Sequence, residues 1–202
     1  MKNKRLLCVA MCGFGTLCCV PANAALLSVS PVIQTVGIGS DVDVGVEISE
    51  LGAFVAPSLG AYDVTISYDP GILELLSTTW GDPVLGDQLD LSGFGSIQII
   101  NSSVGSVELF ELSLDSIDDL NALQNPDFIL GILSFQGTGV GASPVNIAIN
   151  ALSDAYGDDL ASGWQDGTIL VTPTPEVGSA VLVATALCLL MVRQRIRCFR
   201  ER

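Results

Sequence analysis

Tyr62-Asp63-Val64-Thr65-Ile66-Ser67-Tyr68-Asp69-Pro70-Gly71 is the stretch whose reading decides the fold. Tyr62, Val64, Ile66 and Tyr68 occupy one side of a period-two pattern, and Asp63, Thr65, Ser67 and Asp69 the other. Successive side chains of a strand point to opposite faces, so the pattern describes a strand with one dry and one wet face. Asp69-Pro70-Gly71 then reads as a type II turn, with Pro setting φ at its second position and Gly admitting positive φ at its third. Ile72, Leu73, Leu75 and Leu76 follow as apolar cover for the sheet the chain has just left.

The same alternation recurs on both sides. Asp41 to Ile48 puts Val42, Val44, Val46 and Ile48 inward and Asp41, Asp43 and Glu47 outward. Further strands are expected at 96–101, 107–114, 128–136, 145–151 and 168–172. Loops are expected around Leu51-Gly52, at Ala56 to Gly60 and at Gly81 to Gly95, where Gly and Pro interrupt the pattern. One or two helical turns fit Ser116 to Leu123, with Asp115 or Ser116 as cap, Asp118 and Asp119 in the first turn and Asn125-Pro126 as the stop. Many short strands with almost no helix indicate an all-β sandwich of jelly-roll type.

Charge separates the sandwich from its ends. All eight cations of the 202-residue chain lie at the termini, and between Ala25 and Pro175 there is no Lys, Arg or His. Twenty of the twenty-two Asp and Glu fall in that span, leaving it with a formal charge of −20. No counterion release from a nucleic acid is available to such a domain, and no anionic membrane surface attracts it. The six cysteines also lie outside it, so the sandwich is held by its core and not by disulfides.

Residues 1–24 read as a signal peptide: a basic start, an apolar run from Leu6 to Val20, then Ala22 and Ala24 as the small residues before cleavage by signal peptidase. At the other end, Val177 to Val192 is sixteen residues without a charge, closed by five arginines. As a helix it covers about 24 Å against a hydrocarbon core of about 30 Å, enough for one short transmembrane span with the arginines inside. Thr172 to Val177 forms an extended stalk ahead of it.

The exported span lacks the parts of most active sites. Without His, Cys, Lys or Arg there is no nucleophile–base triad, thiol or Schiff-base chemistry, and only carboxylate pairs of the glycosidase kind remain. Asp118 and Asp119 suit a helix N-terminus, and Asp41 and Asp43 a solvated strand face. Asp154-Ala-Tyr-Gly-Asp-Asp159 is the densest acidic loop, either a plain turn or, through Asp154, Asp158 and Asp159, a Ca²⁺ site; no other cofactor is indicated. Trp164, in Ser162-Gly-Trp-Gln-Asp-Gly167, is either a stacking platform for a sugar ring or the cover of a sandwich edge. Tyr156 and Trp80 are the other aromatic candidates for carbohydrate.

Two resemblances add to these readings. The strand with its Tyr-Asp-Pro turn, Leu120 to Phe135, Pro144 to Asn150 and Leu152 to Gly157 together resemble, in order and spacing, a cohesin-like domain over most of residues 25–172. That resemblance implies a non-enzymatic binding module whose partner is a dockerin-like protein or a polysaccharide. Pro175-Glu176, the short apolar span and the Arg cluster resemble a PEP-CTERM sorting tail over residues 173–202, with Val177 where the motif has a second Pro. It implies exosortase as the processing enzyme, and an outer cell-surface or extracellular location with at least transient anchoring through 177–192. A structural protein of an exopolysaccharide matrix and a glycosidase are the competing classes.

Overall fold

The computed structural model describes residues 24–173, so the expected signal peptide and transmembrane segment, with Ala22, Pro175 and Glu176, lie outside the described residues. The described residues form eleven strands, arranged in two packed sheets, and one helix. The first sheet has the order β10 (Ser162–Gln165), β1 (Ala25–Ser30), β3 (Asp41–Ser49), β8 (Phe128–Gly137), β5 (Leu73–Trp80). The second has the order β2 (Ile33–Gly37), β11 (Gly167–Thr172), β9 (Gly141–Asp154), β4 (Leu59–Tyr68), β7 (Ser106–Ser113), β6 (Ser96–Ser103). Helix α1 (Ile117–Leu123) links β7 to β8.

The alternation of the opening stretch is realised in β4, near the centre of the second sheet. Tyr62, Val64 and Ile66 are buried, and Asp63, Thr65 and Ser67 stand on the outer face. Val44, Val46 and Ile48 of β3 and Leu130, Leu133 and Phe135 of β8 complete the core from the first sheet. Tyr68 lies edge-on to Phe135, with ring centroids 5.0 Å apart, closing one end of that core.

The turn after β4 is not type II. The Asp69 carbonyl accepts the N–H groups of Ile72 (3.1 Å) and Leu73 (2.9 Å), and Asp69 Oδ1 accepts that of Gly71 (2.8 Å). Gly71 stays out of the left-handed region. An aspartate in front of the proline supplies a side-chain acceptor that starts a helical turn, and this overrides the preference of Pro-Gly for type II. Of the residues expected as apolar cover, Leu73, Leu75 and Leu76 belong to β5, the edge of the first sheet, and Ile72 to the turn before it. Leu73 is buried there, but the register shifts between Leu75 and Ser77 and leaves Leu76 48% exposed.

The two ends of the sandwich sequence close one side together. β1 pairs with β10 and β2 with β11, both in parallel, so the first two and the last two strands cross from one sheet to the other side by side. The opposite side of the sandwich is bounded by β5 and β6, which pair only with β8 and β7 respectively. Segments 81–95, expected as a polar loop, instead contribute Leu89 to the core. Gln88 Oε1 accepts from both nitrogens of Asn125, while Asp115 Oδ2 accepts the Leu91 N–H at 2.6 Å. Ser116 is the cap of α1, its hydroxyl accepting the Asp119 N–H, which leaves Asp115 free to hold that loop.

Candidate functional site

The outer faces of the two sheets differ in chemistry. On the first sheet, β3 and β8 oppose polar groups: Ser134 Oγ donates to Asp43 at 2.6 Å and Gln136 Nε2 to Asp41 at 3.1 Å. On the second, Ile97 and Ile99 of β6 stand opposite Leu112 and Phe110 of β7. Ile97 and Ile99 are each 45% exposed and Leu112 37%. Cross-strand neighbours on one face are about 5 Å apart, so these four side chains form one apolar patch.

That patch has an acidic and amide border. Asp63 of β4 stands opposite Phe110, and Glu108 opposite Thr65 on one side and Asn101 on the other. Asn150 donates to Asp63 Oδ1 and to Thr65 Oγ1, both at 2.9 Å, from the bulge where β9 shifts register against β4. A face of exposed isoleucines rimmed by carboxylates and amides suits a macromolecular partner with an apolar centre and basic or amide-donating edges.

Beneath the patch, on the inner side of β7, lies Glu111, 1% exposed. Its Oε2 accepts the Tyr62 hydroxyl (3.0 Å), and its Oε1 accepts Ser96 Oγ (2.5 Å) and Gln98 Nε2 (2.8 Å). Gln98 Nε2 also donates to Asp87 Oδ2 at 2.9 Å, so one amide joins two carboxylates. Burial pushes Glu111 up to about 7, further raised by the nearby Asp87 and opposed by the hydrogen bonds from Ser96 and Gln98. Burial, then the charge of Glu111, likewise holds the Tyr62 phenol protonated. A general acid has such a pKa, but this carboxyl is enclosed and its oxygens are occupied by side chains of two neighbouring strands, so it is placed to join β4, β6 and β7 and not to meet a substrate.

The carbohydrate candidates are not assembled into one platform. Trp164 is 61% exposed on β10 and Tyr156 62% exposed in the loop before it. Trp80 ends β5, at the opposite edge of the same sheet, about 19 Å away across four strand spacings, and packs partly against the core. In the acidic loop, Asp154 Oδ1 accepts the N–H groups of Tyr156 (2.8 Å) and Asp158 (3.0 Å), so that carboxylate caps its own turn. Among the described residues no group of three or more Asp, Glu, His or Cys is arranged to hold a metal ion, Asp154, Asp158 and Asp159 included. No described helix is long and apolar enough to cross a membrane.

The fold is shared with solved structures. The fold is cohesin-like. The domain is similar to the seventh ScaB type I cohesin from Pseudobacteroides cellulosolvens, with 17% identity, a TM-score of 0.58, and coverage of 76% of this chain and 96% of that one. It is also similar to a non-cellulosomal cohesin from the archaeon Archaeoglobus fulgidus (18% identity, TM-score 0.55, 78% and 97% covered). A third likeness is to a chain of a type I cohesin–dockerin complex from Clostridium thermocellum (12% identity, TM-score 0.58, 74% and 100% covered). No protein-family model matches the sequence, and no curated protein matches it.

Sequence reasoning passed over the isoleucines of β6 and over Glu111. Ile97-Gln-Ile-Ile100 was legible as strand, but an edge strand and a core strand share that composition. A signal for Glu111 did exist: in Val107-Glu-Leu-Phe-Glu-Leu112 it falls in phase with Val107 and Leu109, on the side that must be buried.

Proposed function

We propose that the domain is a non-enzymatic, exported binding module whose partner is a protein of the dockerin-like kind, docked on the outer face of the second sheet. The observation that carries this reading is the apolar patch of the exposed Ile97, Ile99 and Leu112 with the half-buried Phe110 on one sheet face, whereas the β3–β8 pairs of the other sheet carry Asp41, Asp43, Ser134 and Gln136. Apolar side chains left on a sheet face are accounted for when a partner covers them, and the amide and carboxylate border supplies register. The cohesin-like fold supports the partner class, and the signal-peptide pattern with the Pro175-Glu176 tail supports export, sorting by exosortase and display at the cell surface. The test is affinity capture of dockerin-bearing proteins from the same host by the chain and by an Ile99→Lys, Leu112→Lys variant. Capture that is lost in the variant with an unchanged melting temperature supports the reading, and equal capture by both overturns it.

A second reading rests on Trp164, exposed on the edge strand β10 of the first sheet, and on Tyr156, exposed in the loop that leads to it. An indole and a phenol held out to solvent are suited to stacking on sugar rings, so binding of exopolysaccharide is proposed for that edge. Retention on a polysaccharide column that survives Trp164→Ala would remove it.

A further inference from the structure

Strand β6 has an unused edge. It is the last strand of its sheet, pairs only with β7 along all eight residues, and contains no charge, no proline and no register shift. Its hairpin turns through Val104-Gly105, with Gly105 at φ +80°, which makes Ser103 and Ser106 a hydrogen-bonded pair. The alternate residues Gln98, Ile100 and Ser102 therefore direct their backbone N–H and C=O away from the sheet. Lysines, prolines and bulges ordinarily protect such an edge, and none is present in this strand.

The edge borders a groove. Between its hairpin end and β5, the edge strand of the other sheet, lies an open cleft of about 580 Å³, lined among others by Tyr68, Leu73, Glu74, Leu75, Ser102 and Ser103. Carboxylates accompany the strand along its length: Asp87 bonded to Gln98, Glu108 bonded to Asn101, and Glu74 in the groove beside Ser102 and Ser103. No described cation offsets them, because residues 25 to 175 contain none.

We propose that the β6 edge, with the groove beside it, takes an extended basic polypeptide segment as an additional strand. Free backbone donors and acceptors in a row recognise another strand's backbone, and the groove receives its alternate side chains. Charge selects among possible strands. A second copy of this domain brings another −20 to the contact, whereas a segment with Lys or Arg at alternate positions meets Asp87, Glu108 and Glu74. This edge is distinct from the outer-face patch: it is recognised through the main chain and stands whether or not that face binds a partner.

The probe is an end-capped Lys-Val octapeptide, titrated into the full chain by calorimetry at low and physiological salt. Its controls are the same peptide N-methylated at alternate residues and a Glu-Val octapeptide. Ile100→Pro blocks the edge at an outward N–H without removing a bond to β7, and Ser102→Pro replaces it if that variant does not fold. The expected result is binding by the Lys-Val peptide, weakened at least about tenfold by N-methylation and by the proline variant, and absent for Glu-Val. Equal binding of the N-methylated peptide would show charge attraction alone and overturn the proposal. So would absence of Lys-Val binding at millimolar concentration, or sedimentation of the unliganded chain as a dimer that the proline variant abolishes.

Discussion

The Tyr62 hydroxyl donates to Glu111 Oε2 at 3.0 Å, joining the central strand of the second sheet to a carboxyl that is itself bonded to the edge strand. The core of this acidic domain therefore contains an ionisable group directly behind its apolar outer face.

Stability should fall as pH rises through neutrality. The folded pKa of Glu111, about 7, lies above its ordinary value of 4.5, so the folded state holds the proton more tightly. The stabilisation is complete below about pH 4.5 and is lost as pH passes 7, an effect on the order of 1–3 kcal/mol. Glu111→Gln, neutral at all pH, should flatten the melting temperature between pH 5 and pH 8. A slope as steep as that of the parent chain would show that repulsion among the surface carboxylates is the whole cause.

Asp82 sets a limit on the acid side. Burial raises its pKa, but N–H groups of Leu85, Val84 and Ile129 bond to it and hold it below the ordinary carboxylate value. Its contribution is present above that ordinary value, near pH 4, and is lost as pH falls further. Asp82→Asn should accordingly narrow the stability difference between pH 5 and pH 3, measured by urea denaturation.

Gln124→Ala should cost about 2–3 kcal/mol, although glutamine is rarely a stability determinant. Its amide accepts from Leu59 N–H (2.6 Å) and donates to the carbonyls of Leu59 and Gln88 (both 3.0 Å), all in a buried setting. Removing it strands those backbone groups away from water. Leu123→Ala, one residue earlier and 50% exposed, should change stability by less than about 0.5 kcal/mol.

The two tryptophans should separate in the same assay. Trp164→Ala removes an exposed side chain and should leave the unfolding midpoint within about 0.5 kcal/mol, whereas Trp80→Ala removes a ring packed partly on the core and should cost about 1–3 kcal/mol. Equal losses would mean that Trp164 is buried in solution.

Calcium and magnesium should raise the melting temperature equally at matched ionic strength. Both screen the acidic surface, and Asp154 already serves its own turn through Tyr156 and Asp158. A larger shift with Ca²⁺ would place a site in that loop.

What the sequence by itself determined is the class of the fold and the central strands. β3, β4 and β7 were legible because each has one face in the core and one in water, which writes the period of two into the residues. The cap at Ser116 was legible for a similar reason, since capping is decided within four residues. Only the tertiary structure decided β1, β2, β5 and β10, whose identity as strands depends on distant partners: β1 and β2 lie against β10 and β11, some 130 residues later. The same holds for the site. The composition of 96–101 does not say whether that strand is an edge, so the exposure of Ile97 and Ile99 follows only from the place of β6 in the sheet, and the period that puts Glu111 on the inner face does not show that Tyr62, Ser96 and Gln98 converge on it from two other strands. Period and turn chemistry are local, whereas which face is covered and which edge is free depends on the order of strands in space.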